Sequence, residues 1–197
     1  MKMINISAKH YIGEGDIRTC YEHPENKFLC IKIPKPHVKE EYTNKELRYF
    51  KKIKKHTKND SSFYSDYRGE VSTNLGIGQT FDLIRDESTG KISKTLEFYL
   101  LQNQQTIPIS KLEKALSVLK DQMLKYKVFT RDLRARNICC KKLNENKIEL
   151  VIIDGLGHSD FFPFADYVTY FSKRKLIRSY HRWHFNTIQD QINFLKI

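Results

Sequence analysis

The chain has 197 residues, 40% of them hydrophobic and 29% charged, with no internal repeat or low-complexity tract, so one soluble globular unit or two small lobes with a real core is expected. Its formal net charge of +12 favours anionic partners, such as nucleotide, nucleic acid, acidic lipid or phosphorylated glycan, without choosing among them. No apolar run approaches the ~18 residues of a membrane-spanning helix, and Cys20, Cys30, Cys139 and Cys140 lack CxxC spacing or a secretory context, which points to reduced thiols in a cytoplasmic protein.

Lys9 to Gly15 reads as a short strand running into a glycine turn, Gly13-Glu14-Gly15. Strands over Arg18–Tyr21 and Phe28–Ile33 follow, joined by the turn-rich His23-Pro24-Glu25-Asn26. A glycine turn lets backbone N–H groups approach a phosphate, because glycine has no Cβ. Lys32 stands inside the apolar run Leu29-Cys30-Ile31-Lys32-Ile33. A lysine on the apolar side of a strand must find an anion or lose its charge.

Glu40 to Lys55 carries a helical pattern, with Tyr42, Leu47, Phe50 and Ile53 on one apolar face. Glu46, favoured over Glu40 and Glu41, projects from this helix toward the strand that carries Lys32. Strands over Tyr67–Thr73 and Gln79–Ile84, separated by Asn74-Leu75-Gly76, complete a five-stranded antiparallel sheet with one helix. Thr80 to Ile84 then forms the connector to the second half, a turn spans Asp86–Gly90, and a short helix is expected over Ser93–Gln102. Ser110-Lys111-Leu112-Glu113 reads as a capping box, with Leu112, Leu116, Leu119 and Met123 following at helical spacing.

The densest chemistry lies between Phe129 and Asp154. Asp132 and Asn137 stand in a loop after that helix, and Asp154 ends the apolar strand Ile148–Ile153, followed by Gly155. A hairpin with Asn144-Glu145-Asn146 at its tip returns Asp154 beside Asn137. Phosphoryl transfer needs such a set: one carboxylate to take the proton of an attacking hydroxyl, and an amide with a second carboxylate to hold magnesium. Arg134 and Arg136 in the same loop either meet a second anion or form ordinary surface ion pairs. Downstream, Phe161 to Phe164 is a packing or docking segment. Lys173 to Trp183 is an amphipathic basic helix that closes the core or touches an anionic membrane or acidic partner.

Thr130-Arg131-Asp132-Leu133-Arg134-Ala135-Arg136-Asn137 resembles the protein-kinase catalytic loop, with Thr130 in place of its histidine. Asp154-Gly155 resembles the metal-binding Asp of Asp-Phe-Gly, without the phenylalanine. The resemblance implies roles for the residues above. Asp132 becomes the base, Asn137 and Asp154 the magnesium or manganese ligands, and Lys32 a phosphate anchor paired with Glu46. Gly13, Glu14 and Gly15 become the phosphate-covering turn, whose third glycine is replaced by Arg18. Backbone groups at Asp82 and Ile84 would bind the adenine of ATP.

The chain as a whole resembles the YrbL family of the PhoP regulatory network, through Tyr11–Gly15, Ile31–Pro34, Asn44–Tyr49, Phe81–Ile84, Ser93–Glu97 and Asp132–Asn137. The resemblance implies an α+β, two-lobed protein-kinase-like fold. Residues 1–84 form the N-lobe and residues 85–197 a reduced, mainly helical C-lobe, because too little chain follows Asp154 for a full one. The expected activity is ATP- and magnesium-dependent phosphoryl transfer to a hydroxyl acceptor, a protein Ser/Thr or a lipopolysaccharide sugar. The alternative is a pseudokinase that regulates by binding. Nucleic acid is not an expected partner, because no reading element accompanies the charge.

Overall fold

A computed structural model describes residues 3–57, 62–101, 106–130 and 132–157. The expectations for Phe161–Phe164 and Lys173–Trp183 lie outside these residues, as does Arg131, and the side chains of Glu40 and Tyr42 are likewise not described. The architecture is α+β. Strands β1 (Tyr11–Glu14), β2 (Arg18–Glu22), β3 (Leu29–Pro34), β4 (Tyr67–Thr73) and β5 (Gly76–Asp82) form one antiparallel sheet in the order β1-β2-β3-β5-β4. Helix α1 (Glu40–Thr57) connects β3 to β4. Helices α2 (Leu96–Leu101) and α3 (Ile109–Tyr126) follow, then the antiparallel pair β6 (Ile138–Lys142) and β7 (Ile148–Ile152).

Strand register decides which side chains share a face. Cys20 pairs with Lys32, Lys32 with Gln79, and Cys30 with Phe81, so these residues lie on the same side as Arg18. The opposite face carries Ile31 and Ile33, which are covered by Ile4 and Ile6 of the N-terminal segment. That segment is tied down where the Ile4 amide donates to the Ser72 carbonyl at 2.8 Å and the Ile6 amide to Asn74 Oδ1 at 2.7 Å. Gly78 admits the close packing of this layer, since a Cβ there would collide with Ile31 Cγ2.

The main core is continuous from the sheet to the β6–β7 pair. Leu47, Phe50 and Ile53 of α1 pack with Phe81, Phe63 and Tyr64, and the cluster runs on through Leu96, Leu112, Leu116, Leu119 and Met123 to Ile138, Leu150 and Ile152. Helix α1 is stitched to the loop after α3, where the Phe129 amide donates to the Tyr49 hydroxyl at 2.6 Å. Among the described residues no helix is long and apolar enough to cross a membrane.

Two helix starts differ from expectation. The Ser110 capping box does not form: Pro108 is the N-cap of α3, its φ of −56° and its carbonyl already starting the first turn, so Ser110 falls inside the helix. Helix α2 begins at Leu96 and not Ser93, because Ser93 is held outside it, its hydroxyl donating to Asp86 Oδ1 at 2.6 Å and its amide to the Ile84 carbonyl at 3.0 Å. Strand β5 starts earlier than expected and ends at Asp82, leaving Leu83 and Ile84 in the connector.

Candidate functional site

The site lies where the inner face of the sheet, helix α1 and the ends of β6 and β7 meet. Asp132, Asn137 and Asp154 converge around Gly155. Gly155 has φ +77°, and a Cβ there would stand 2.9 Å from the Asp132 carbonyl oxygen and 3.2 Å from Asp132 Cβ, with Asn137 Nδ2 at 3.5 Å. Only a residue at ease in the left-handed region, and without a side chain, lets the strand end approach the loop so closely. Asn137 donates from Nδ2 to the Asp132 carbonyl at 3.0 Å, and its own carbonyl accepts the Ile153 amide at 2.8 Å. The Thr130 hydroxyl donates to the Gly155 carbonyl at 2.9 Å and accepts the Asp132 amide at 3.2 Å. Asp132 itself pairs with Arg134, whose Nε lies 2.8 Å from Oδ1.

From the sheet side, Lys32 is buried at 7% exposure. Its ammonium donates to the Ile153 carbonyl at 2.6 Å, lies 3.8 Å from Asp154 Oδ2, and sits over the Phe81 ring at 4.6 Å. Glu46 is also buried and turned inward, but the expected pair with Lys32 is not formed. Glu46 Oε2 instead takes Arg18 Nη1 at 2.7 Å. Arg18 Nη2 reaches Asp154 Oδ1 at 2.6 Å and Nη1 approaches Gln79 Oε1 at 3.4 Å. The physical reason is reach: a guanidinium carries two Nη groups in a fixed fork and bridges two carboxylates, where a single ammonium bridges them poorly.

Four charged groups therefore share one buried corner, Arg18 and Lys32 against Glu46 and Asp154. Burial raises the pKa of Asp154, but Lys32, then Arg18, outweigh it, and the carboxyl is held well below its usual range. Burial likewise works against the charge on Arg18, and Glu46 and Asp154 more than offset it. Asp154 stays partly open to solvent, at 41% side-chain exposure.

The glycine turn is closed by the Gly15 amide donating to the Arg18 carbonyl at 2.9 Å. A Cβ on Gly13 would meet nothing, so protein packing alone does not require a glycine there. Lys35 pairs with the exposed Glu14 at 3.1 Å. At the connector, the Asp82 carboxylate is turned to Arg68, with Nε to Oδ1 at 2.7 Å and Nη2 to Oδ2 at 2.8 Å. Its carbonyl accepts the Ser65 hydroxyl at 2.8 Å. Leu83 donates to the Phe28 carbonyl at 2.8 Å and Ile84 accepts from Ser93, so the backbone of the connector is fixed from both sides. A cavity of about 500 Å³ runs along it, lined by Phe28, Tyr64, Asp82, Ile84 and Asp86 among others.

The Asp154 carboxylate and Asn137 Oδ1, carried by residues that adjoin or approach Gly155, are oxygen donors of the kind a hard cation such as magnesium takes, and too few to hold one without further oxygens. Their chemistry fits that ion. Among the described residues no cluster of three or more His, Cys, Asp or Glu side chains forms a self-sufficient metal centre.

Arg18 is the site residue that sequence reasoning missed. It registers in the sequence as the absent third glycine of the turn. The signal was present in the alternation of β2, because Arg18 shares a face with Cys20 and so with Lys32. A second cation on that apolar face demands an anion for the same reason as the first.

Comparison with known proteins places the chain. The family model described as PhoP regulatory network protein YrbL matches residues 4–187. The Escherichia coli (strain K12) protein named "Uncharacterized protein YrbL" is 31% identical over 183 residues, 92% of this chain and 86% of its own length. The Shigella flexneri protein of the same name matches equally. The chain belongs to the YrbL family of PhoP regulatory network proteins.

Proposed function

We propose that the chain is a phosphotransferase of protein-kinase-like fold, with an N-lobe over residues 1–84 and a C-lobe that begins at residue 85. It would transfer the γ-phosphate of ATP, with magnesium or manganese, to the hydroxyl of a protein Ser/Thr or a glycan. The observation that carries this reading is the meeting of Lys32 with Asp154, 3.8 Å apart, while Asp132 and Asn137 stand against the adjoining Gly155. A buried lysine from the sheet, an oxygen pair at a strand end and a carboxylate on the neighbouring loop are the groups phosphoryl transfer uses.

In this reading Lys32 holds phosphate oxygens, its position set by the Ile153 carbonyl and the Phe81 ring. Asp154 and Asn137 would hold the metal, which supplies charge neutralisation for the phosphates. Asp132, partly exposed beside Arg134, takes the proton of the acceptor hydroxyl. Glu46 holds Arg18, and through it the geometry of Asp154. The basic charge of the chain suits an acceptor that is itself anionic.

A second reading, a pseudokinase that regulates by binding, is favoured by the 2.6 Å contact of Arg18 with Asp154, which covers a metal-binding oxygen. Asp132→Asn separates the two. Purified protein is incubated with labelled ATP and with protein, lipid and glycan fractions of cells, and ATP affinity is measured alongside. For the enzyme, Asp132→Asn loses at least ~100-fold in transfer and keeps ATP affinity within about threefold. ATP binding by the wild type with no transfer to any fraction selects the pseudokinase.

A further inference from the structure

We propose that Arg18 is a second phosphate-binding cation that also guards Asp154: the phosphate chain of a nucleotide draws the guanidinium off the carboxylate, so nucleotide binds first, without a divalent ion, and the metal follows. This rests on the nucleotide-site reading above.

Three observations support it. Arg18 is buried, at 8% exposure, on the same face as Lys32, at the foot of the glycine turn. Its Nε is buried and has no hydrogen-bond partner, so one donor of the fork is left unsatisfied beside the ion cluster. A phosphate oxygen supplies an acceptor to that donor, and a planar guanidinium binds phosphate in a two-pronged manner. Finally, Arg18 and Lys32 balance Glu46 and Asp154, so this corner has no net negative charge with which to attract a bare divalent cation. A triphosphate changes that balance, and Asp154 becomes available as Arg18 turns to the phosphates.

The test is calorimetric titration of the full chain with ATP, once in magnesium and once in EDTA, together with a manganese titration in the absence of nucleotide. The wild type is expected to bind ATP in EDTA within about threefold of its affinity in magnesium, and manganese alone weakly. Arg18→Gln loses at least about tenfold of the EDTA-resistant affinity, and Arg18→Lys loses less, because it keeps the charge without the fork. Asp154→Asn gains EDTA-resistant affinity, since it removes a negative charge and releases Arg18. Loss of the charge alone also favours a phosphate, so the part due to Arg18 is read by adding Arg18→Gln to Asp154→Asn: a phosphate-binding Arg18 takes most of the gain with it, and a merely structural arginine leaves the gain intact. ATP binding that requires magnesium, or tight manganese binding without nucleotide, overturns the inference and leaves the nucleotide site standing. No ATP binding in either buffer overturns the nucleotide site itself. The wild-type and Arg18→Lys titrations decide the matter even where Arg18→Gln fails to fold.

Discussion

Among single residues, the cysteines differ most in chemical character, although all four are free thiols. Cys20 shares a face with Lys32 and Arg18. A hydrogen bond from Cys30 lowers its pKa and outweighs burial, with Lys32 and Arg18 acting in the same direction. Cys30 moves the opposite way, raised by its contact with Cys20 and by burial. Burial pushes the Cys139 thiol up to about 12 and raises Cys140 as well. The thiolate is the nucleophile, so mild alkylation near pH 8 should modify Cys20 first and leave Cys139 and Cys140 largely intact. Peptide mapping by mass spectrometry reads the order, and ATP should slow the reaction at Cys20 if phosphates occupy the Lys32 face. Equal labelling of Cys20 and Cys139 would contradict this account of the inner face.

At the scale of elements, the approach of the β7 end to the Asp132 loop hangs on Gly155. Alanine there suffers twice, from φ +77° and from a Cβ 2.9 Å from a backbone oxygen that cannot swing aside. Gly155→Ala should therefore displace the loop, lower stability by about 1–3 kcal/mol and weaken ATP binding with it. Denaturant melts and calorimetry measure both, and a variant with wild-type stability and affinity would mean that the loop and strand end are not coupled through this contact. The strands around this site were legible in the sequence, because Leu29–Ile33 and Ile148–Ile153 are short apolar runs bounded by turn residues. The convergence of Asp132, Asn137 and Asp154 followed from the hairpin between β6 and β7. The exchange of partners was not legible: which cation takes Glu46 depends on three elements at once, and no spacing within one of them reports it. The N-terminal strap over Ile31 and Ile33 escaped for a related reason. It is held by one bridge and the side chain of Asn74, neither of which leaves a periodic mark.

For the molecule as a whole, the Arg18–Glu46–Asp154 cluster joins the sheet, helix α1 and the β6–β7 pair across the main core. Its electrostatics make overall stability depend on acid in a particular way. Asp154 has a pKa of 3.8 as an unperturbed group, and Lys32 and Arg18 hold it well below that in the folded chain despite burial. The folded state therefore binds its proton less readily than the unfolded state. Stability from this group is complete above the unfolded value and is lost as pH falls through the folded one. Glu46 is buried against Arg18 with 5% side-chain exposure, so removing it takes away one of the two carboxylates of a buried cation and leaves its Nη1 with only Gln79 Oε1, at 3.4 Å. Glu46→Ala should cost about 3–5 kcal/mol, whereas Asp154→Asn, at the solvent-facing end, should cost less. The decisive measurement is urea denaturation of wild type and Asp154→Asn at a series of pH values between neutrality and strong acid. The wild type should be the more stable by a constant margin down to about pH 5, and the margin should shrink steadily below pH 4. A margin that does not change with pH would show that Asp154 titrates alike in both states, and that its two cations hold no linkage between the halves of the fold.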